Sequence, residues 1–270
     1  MFTIVKLIIY TNLWLASAAG LLAYAIAKQI GSASLAYFGF ASGAVLFIYN
    51  VHQLFRIREL DVVASNRHKW AKKHLSVIAL LAVVGLSLAL VSFISSFMTV
   101  LGGVFILLFG VISILYSYRV HPSMKTLREL PYLKIHFIAL TWTASTAVFP
   151  LLYADSYESN YYLLVLGIYF YFLAITIPFD IRDLAFDTEN QKTIPQTLGI
   201  KWAIYLGQTL LLIAGLLFIL YKHSFAFHPI FYIAFIYAFI GIALAKKPQS
   251  ELFFVGGIDG GIILLALSFT

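Results

Sequence analysis

Long apolar runs recur at nine places along the chain: residues 7–27, 34–55, 75–94, 97–118, 132–153, 161–179, 202–221, 228–245 and 252–269. Each approaches the roughly 20 residues that an α-helix needs to cross the hydrocarbon of a bilayer, and polar residues collect between them. The pattern predicts an all-α, polytopic membrane protein, a bundle of nine transmembrane helices, with residues 1–270 forming one transmembrane domain. The first run lacks a small-residue cleavage signature and contains Thr11 and Asn12, so it reads as a retained span rather than a signal peptide.

Composition identifies the solvent. Of the 270 residues, 62% are apolar and 11% charged, with a mean hydropathy of +0.94. A soluble domain carries about 25% charged residues, so there is too little polar surface to face water all round. The charges are also unevenly placed. Of the 18 lysines and arginines, all but Lys28 and Lys222 fall at the amino end or in the second, fourth, sixth and eighth connections, with Lys134 just beyond the fourth. The positive-inside rule then predicts a cytoplasmic amino end and an outside carboxyl end, in the cell inner membrane. Topology accounts for the net charge of +7, and no nucleic-acid partner is expected. The absence of cysteine excludes disulfides, thiolate metal sites and cysteine nucleophiles. The seven histidines are scattered, with no H-x-x-x-H pair. The larger connections, 56–74 and 180–201, both lie on the basic side, where the chemistry is expected to open.

The sixth run closes with Ile177-Pro-Phe-Asp-Ile-Arg-Asp-Leu-Ala-Phe-Asp187. On a helix, the spacing of Asp180, Asp183 and Asp187 places them within roughly 60° of one face. Three carboxylates on one stripe repel each other unless a cation lies between them. Such hard oxygen donors suit Mg2+, which takes one or two carboxylates, waters and substrate phosphates. An acid in a membrane helix costs roughly 2.5–3.5 kcal/mol on insertion scales, which marks the cluster as a candidate site. The plainer reading is a solvated helix end in which Arg182 pairs with one of the acids. Spacing alone leaves both open.

Asp180-x-x-Asp183-x-x-x-Asp187, followed by Lys192-Thr193-Ile194-Pro195 and Leu198-Gly199, resembles the second aspartate-rich motif of the UbiA family of membrane-embedded prenyltransferases. There, D-x-x-D-x-x-x-D leads into K-T-x-P-x-x-x-G after the sixth of nine helices. The stretch from Leu115 to Lys134, with Tyr116-Ser117, Pro122, Lys125, Arg128 and Pro131, is similar to the family's basic linker after a tyrosine. The resemblance implies an enzyme that binds a polyprenyl diphosphate with Mg2+ and transfers the prenyl group to a lipophilic acceptor. It implies Asp180, Asp183 and Asp187 as metal ligands and catalytic residues, and Lys125, Lys134 and Lys192 as diphosphate contacts.

The family's first motif, N-D-x-x-D-x-x-x-D, is broken. Its place reads Asn50-Val51-His52-Gln53-Leu54-Phe55-Arg56-Ile57-Arg58, with Asn50 retained and Val51, Leu54 and Arg58 at the aspartate positions. Asn50 is expected to survive as a catalytic residue of that half-site. Arg56 and Arg58 are candidates to meet the diphosphate directly, since a guanidinium offers paired donors to phosphate oxygens. Glu59 and Asp61 are candidates for a shifted carboxylate. His52 is either a proton acceptor or an interface residue, and Arg67, Lys69, Lys72 and Lys73 read most simply as attraction to anionic membrane lipid. The broken motif also favours an alternative, a non-catalytic relative that binds an isoprenoid or quinone-like lipid. A transporter is disfavoured because the charges gather at one membrane face rather than near the midplane.

Aromatic residues make up 17% of the chain and are read as interfacial belts or the lining of an isoprenoid cavity. Gly256, Gly257, Gly260 and Gly261 read as close helix packing, while Asp259 among them is an intramembrane acid without an evident partner. The second and sixth helices are expected to end at one shared cavity.

Overall fold

The computed structural model describes residues 2–59, 66–121, 123–185, 187–223, 228–246 and 249–270. Every regular element among them is helical. The first apolar run holds two helices, α1 (Phe2–Tyr10) and α2 (Leu13–Gln29), which meet at 67°. The break falls at Thr11 and Asn12, where Asn12 takes φ 63°, a left-handed conformation that asparagine tolerates better than most residues. The continuous first span expected over 7–27 is therefore bent at its polar pair.

Next come α3 (Leu35–Glu59), the short α4 (Asn66–Lys73), α5 (Leu75–Ser96) and α6 (Val100–Ser117). The fifth run starts as α7 (Lys134–Thr143), passes through a π-helical turn at Ala144–Val148 and ends in the single turn of α8 (Phe149–Leu151). Then follow α9 (Tyr161–Asp183), α10 (Ile194–Leu198), α11 (Ile200–Lys222) and α12 (Pro229–Leu244). The last run opens with π-helical turns at Leu252–Ile258 and closes as α13 (Gly260–Ser268).

Five of these helices, α3, α5, α6, α9 and α11, are each long and apolar enough to cross a membrane, and the bent α1–α2 pair makes a sixth. The other three apolar runs hold shorter or interrupted helices, so the nine runs are not nine uninterrupted spans.

α3 packs against α2 and α5, and α9 against α7 and α11. Where α3 crosses α5 the contact is backbone on backbone. A Cβ on Gly43 would lie 2.5 Å from the Ala89 nitrogen, and one on Gly85 would lie 2.6 Å from the Phe47 nitrogen. Lipid offers no hydrophobic drive between helices, so close packing of this kind holds them together. In the last run Gly256 and Gly261 are closely packed, since a Cβ would lie 3.2 Å from Ile9 Cδ1 and 3.1 Å from the Tyr171 hydroxyl, while Gly257 and Gly260 have room for ordinary contact at 3.6 Å. α5 and α6 turn Leu80, Val91, Ile94 and Leu107 outward as bare apolar surface. α9 is the most enclosed of the five spans and carries Asp180 and Asp183 into the interior.

Candidate functional site

A cavity of about 250 Å³ lies among the ends of α3, α6, α7 and α9. Gln53 and Arg56 of α3 line it together with Asp180 and Asp183 of α9, so the second and sixth runs meet at one site. Its walls carry five cationic side chains, Arg56, Arg67, Arg128, Lys134 and Arg182, against the carboxylates of Asp180, Asp183 and Asp259.

The acidic wall is built on the end of α9. Asp180 and Asp183 lie one turn apart on the helix and are buried. α9 ends at Asp183, and Asp187 lies one turn beyond it. The Asp187 amide donates to the Asp183 carbonyl at 2.8 Å, four residues back as in a helical turn, and the third carboxylate arrives at the same point. Lys134, the first residue of α7 and only 5% exposed, reaches that point from the other side. Its Nζ stands 2.9 Å from Asp180 Oδ1 and 3.7 Å from Asp183 Oδ2, and also pairs with Asp187 Oδ2.

Arg128 joins the cluster at 3.3 Å from Asp183 Oδ2 and 3.1 Å from Asp187 Oδ1. It is held there by a 3-10 turn, Leu127–Glu129, in which the Thr126 amide donates to Glu129 Oε2 at 2.8 Å. Burial works to lower the Arg128 pKa, but Tyr116, Asp183 and Asp187 outweigh it and hold the guanidinium above its ordinary value. Arg182 Nε donates to Asp183 Oδ1 at 2.8 Å. Three carboxylates thus meet three cations in one buried, charge-balanced cluster.

The facing wall is built from amides. Asn12, at the α1–α2 break, donates through Nδ2 to Asn50 Oδ1 and Gln53 Oε1, both at 3.2 Å. Asn50 donates in turn to the carbonyls of Thr11 at 3.2 Å and Leu46 at 2.7 Å. Arg67 of α4 donates to Asn12 Oδ1. Burial pushes the Arg67 guanidinium and the His68 imidazole below their ordinary pKa values. His52 donates from Nε2 to the Ser113 carbonyl at 2.7 Å and so ties α3 to α6, the interface role among its two readings. Arg56 faces the cavity and forms no ion pair with a described residue.

Several expected site residues are therefore relocated. Asn50 is fully buried in the helix-break network and does not line the cavity. Lys125 is exposed and away from it. Lys192 lies 5.8 Å from the centre of the Tyr132 ring, also outside the cavity. The side chains of Arg58 and Glu59, and Asp61 and Pro122 altogether, lie outside the described residues. Arg67, read from sequence as a lipid-surface charge, is a cavity wall. Arg128, one basic linker residue among several in sequence, is a principal member of the site. The signal that singles it out is its adjacency to Glu129, which caps its turn.

A second, apolar cavity of about 190 Å³ lies between α3, α5, α6 and α7, with Phe40, Phe93, Phe105 and Phe109 on its walls. Ile48, Tyr49, Ser113, Thr141 and Trp142 line both cavities. Trp142 Nε1 donates to the Tyr49 hydroxyl at 2.9 Å across the shared wall.

The oxygen donors of Asp180, Asp183 and Asp187 suit Mg2+ by type, but their arrangement does not fit it. The point on which they converge is taken by the Lys134 ammonium. Among the described residues no three acidic or histidine side chains form a group that could hold a metal ion.

No protein-family profile and no curated protein matches the chain. Its fold, however, is that of solved UbiA homologues. A digeranylgeranylglyceryl phosphate synthase matches with TM-score 0.57 and 18% identity, covering 98% of this chain and 97% of its own. A UbiA homologue from Archaeoglobus fulgidus bound to GPP and Mg2+ matches with TM-score 0.59 and 16% identity, over 97% and 99% of the two chains. The apo UbiA homologue from Aeropyrum pernix K1 matches with TM-score 0.61 and 16% identity, over 96% and 94%.

Proposed function

We propose that the chain is a membrane prenyltransferase of the UbiA type, which places an allylic polyprenyl diphosphate with its head in the charged cavity and its chain in the apolar one. The prenyl group then passes to a lipophilic acceptor. The observation that carries this reading is the adjacency of the two cavities, one rich in cations and the other lined by phenylalanines, which share walls at Tyr49 and Trp142. The likeness of fold supports it, since the Archaeoglobus fulgidus homologues hold GPP or DMAPP with Mg2+.

In the reaction, the bond between the allylic carbon and the bridging oxygen breaks and its electrons leave with the diphosphate. Preorganised cations lower the barrier by meeting that growing charge. Arg56, Arg128 and Arg182 fill this role, and Asp180, Asp183 and Asp187 act by fixing Arg128, Arg182 and Lys134. The ring faces of Tyr49, Tyr116 and Trp142 on the cavity wall suit the allylic cation. Nine crossings with a cytoplasmic amino end, in a cell inner membrane, agree with the basic residues gathered on the cavity's side.

A second reading, a non-catalytic protein that binds an isoprenoid or quinone-like lipid, draws on Asn50, which is bound into the helix break instead of the cavity. Purified protein given radiolabelled geranylgeranyl diphosphate separates the two readings, provided slow hydrolysis is scored as well as transfer. Release of diphosphate is expected. Binding without release favours the lipid-binding reading, and no binding overturns both.

A further inference from the structure

A diphosphate brings several negative charges into a buried site, and something must meet them. The acidic cluster is where a bridging divalent ion would be sought, but its three carboxylates are already matched one for one. Lys134 pairs with all three, Arg128 with Asp183 and Asp187, and Arg182 with Asp183. Neither oxygen of Asp180 accepts a hydrogen bond from a described residue, although Lys134 Nζ stands 2.9 Å from Oδ1, and the two oxygens of one carboxylate are far from the octahedral set that Mg2+ demands. The facing wall adds no carboxylate at the described positions of α3 and presents Arg56 instead. The cavity lining carries five cations against three acids before any ligand arrives. Guanidinium groups are also suited to the task, because their planar forks match pairs of phosphate oxygens.

We propose that this cavity takes its diphosphate without a divalent ion. Lys134 is the resident counter-cation of Asp180, Asp183 and Asp187, in the place an ion would occupy, and Arg56 meets the phosphate oxygens from the opposite wall together with Arg128 and Arg182. The inference rests on the reading that the cavity binds a prenyl diphosphate. It assigns the acids a different part, which is to hold cations of the chain itself.

The test uses the full-length protein in detergent and the non-hydrolysable thiolo analogue of geranyl diphosphate, titrated by calorimetry in EDTA and again in Mg2+. The two affinities are expected to agree within about twofold, a difference of less than half a kcal/mol. Uptake of Mn2+, read from loss of the free-ion electron paramagnetic resonance signal, is expected to be absent in the wild type. In Lys134→Met, which leaves the acids one charge short, Mn2+ uptake is expected to appear. Analogue binding by that variant in EDTA is expected to weaken about tenfold or more, because the unmatched negative charge of the acids then opposes the diphosphate. Analogue binding by the wild type only with Mg2+, Mn2+ uptake by the wild type, or a folded Lys134→Met that takes up none would each overturn the inference and leave the proposed function standing. No analogue binding in either buffer would overturn both. If Lys134→Met does not fold, the wild-type comparison decides alone.

Discussion

The two walls of the charged cavity bury polar groups by different means. On the α3 side, Asn12, Asn50 and Gln53 satisfy one another amide to amide, with each hydrogen bond contributing about 0.5–1.5 kcal/mol net. On the α9 side, three aspartates and three cations form one cluster. A complete buried ion cluster roughly breaks even against its desolvation, but removing one member leaves a charge stranded at a cost of about 3–5 kcal/mol. The amide wall can thus lose a member gradually, whereas the ionic wall is fixed in composition. Conversely, the two cavity cations without an ion pair among the described residues, Arg56 and Arg67, belong to the amide side. That is where a ligand has most to offer.

The largest effect expected is on the ionic wall. Lys134→Met should lower stability by about 3–5 kcal/mol in EDTA, read as a fall in the thermal unfolding midpoint in detergent, with part of the loss restored by Mn2+. A change under 1 kcal/mol would erase the difference between the walls. Arg56→Ala should leave unfolding nearly unchanged but weaken binding of the diphosphate analogue by about 1.5–3 kcal/mol, measured by calorimetry. The reverse outcome, with stability lost and binding kept, would make Arg56 part of the wall's own structure. Asn50→Ala should cost about 1–1.5 kcal/mol of stability with analogue affinity unchanged, and a selective loss of affinity would return Asn50 to the site. Smallest of all, Lys192→Ala should change stability by about 0.5–1 kcal/mol at most, the worth of an exposed cation–π contact, and leave binding untouched.

These contrasts also mark what the sequence allowed a reader to see. The apolar runs locate the helices because twenty apolar residues have few other uses, and Asp180 and Asp183 stand out because acids are scarce in so apolar a chain. The bend at Asn12 was visible only as a polar pair in an apolar run. It takes the third dimension to show Asn50, Gln53 and Arg67 converging on that asparagine. Basic residues were the least legible. Positive-inside charge makes Lys125, Arg128, Lys134 and Lys192 look alike in sequence, yet they end up respectively exposed, paired with two aspartates, buried among three, and set over a tyrosine ring. Of the three acids spaced as one stripe, Asp180 and Asp183 lie on α9 and Asp187 lies one hydrogen-bonded turn beyond its end. Spacing alone cannot foretell that Lys134 stands between all three.

The order of the chain itself has a consequence for how the cavity is made. The partners of the amide wall, Asn12, Asn50, Gln53 and Arg67, all precede those of the ionic wall, which run from Arg128 and Lys134 to Asp180, Arg182, Asp183 and Asp187. Because a protein is synthesised from its amino end, every contact of the first wall is available before any of the second. Within the second wall, Arg128 and Lys134 emerge ahead of the aspartates. Each carboxylate therefore enters the growing protein after at least one of the positive charges that will hold it.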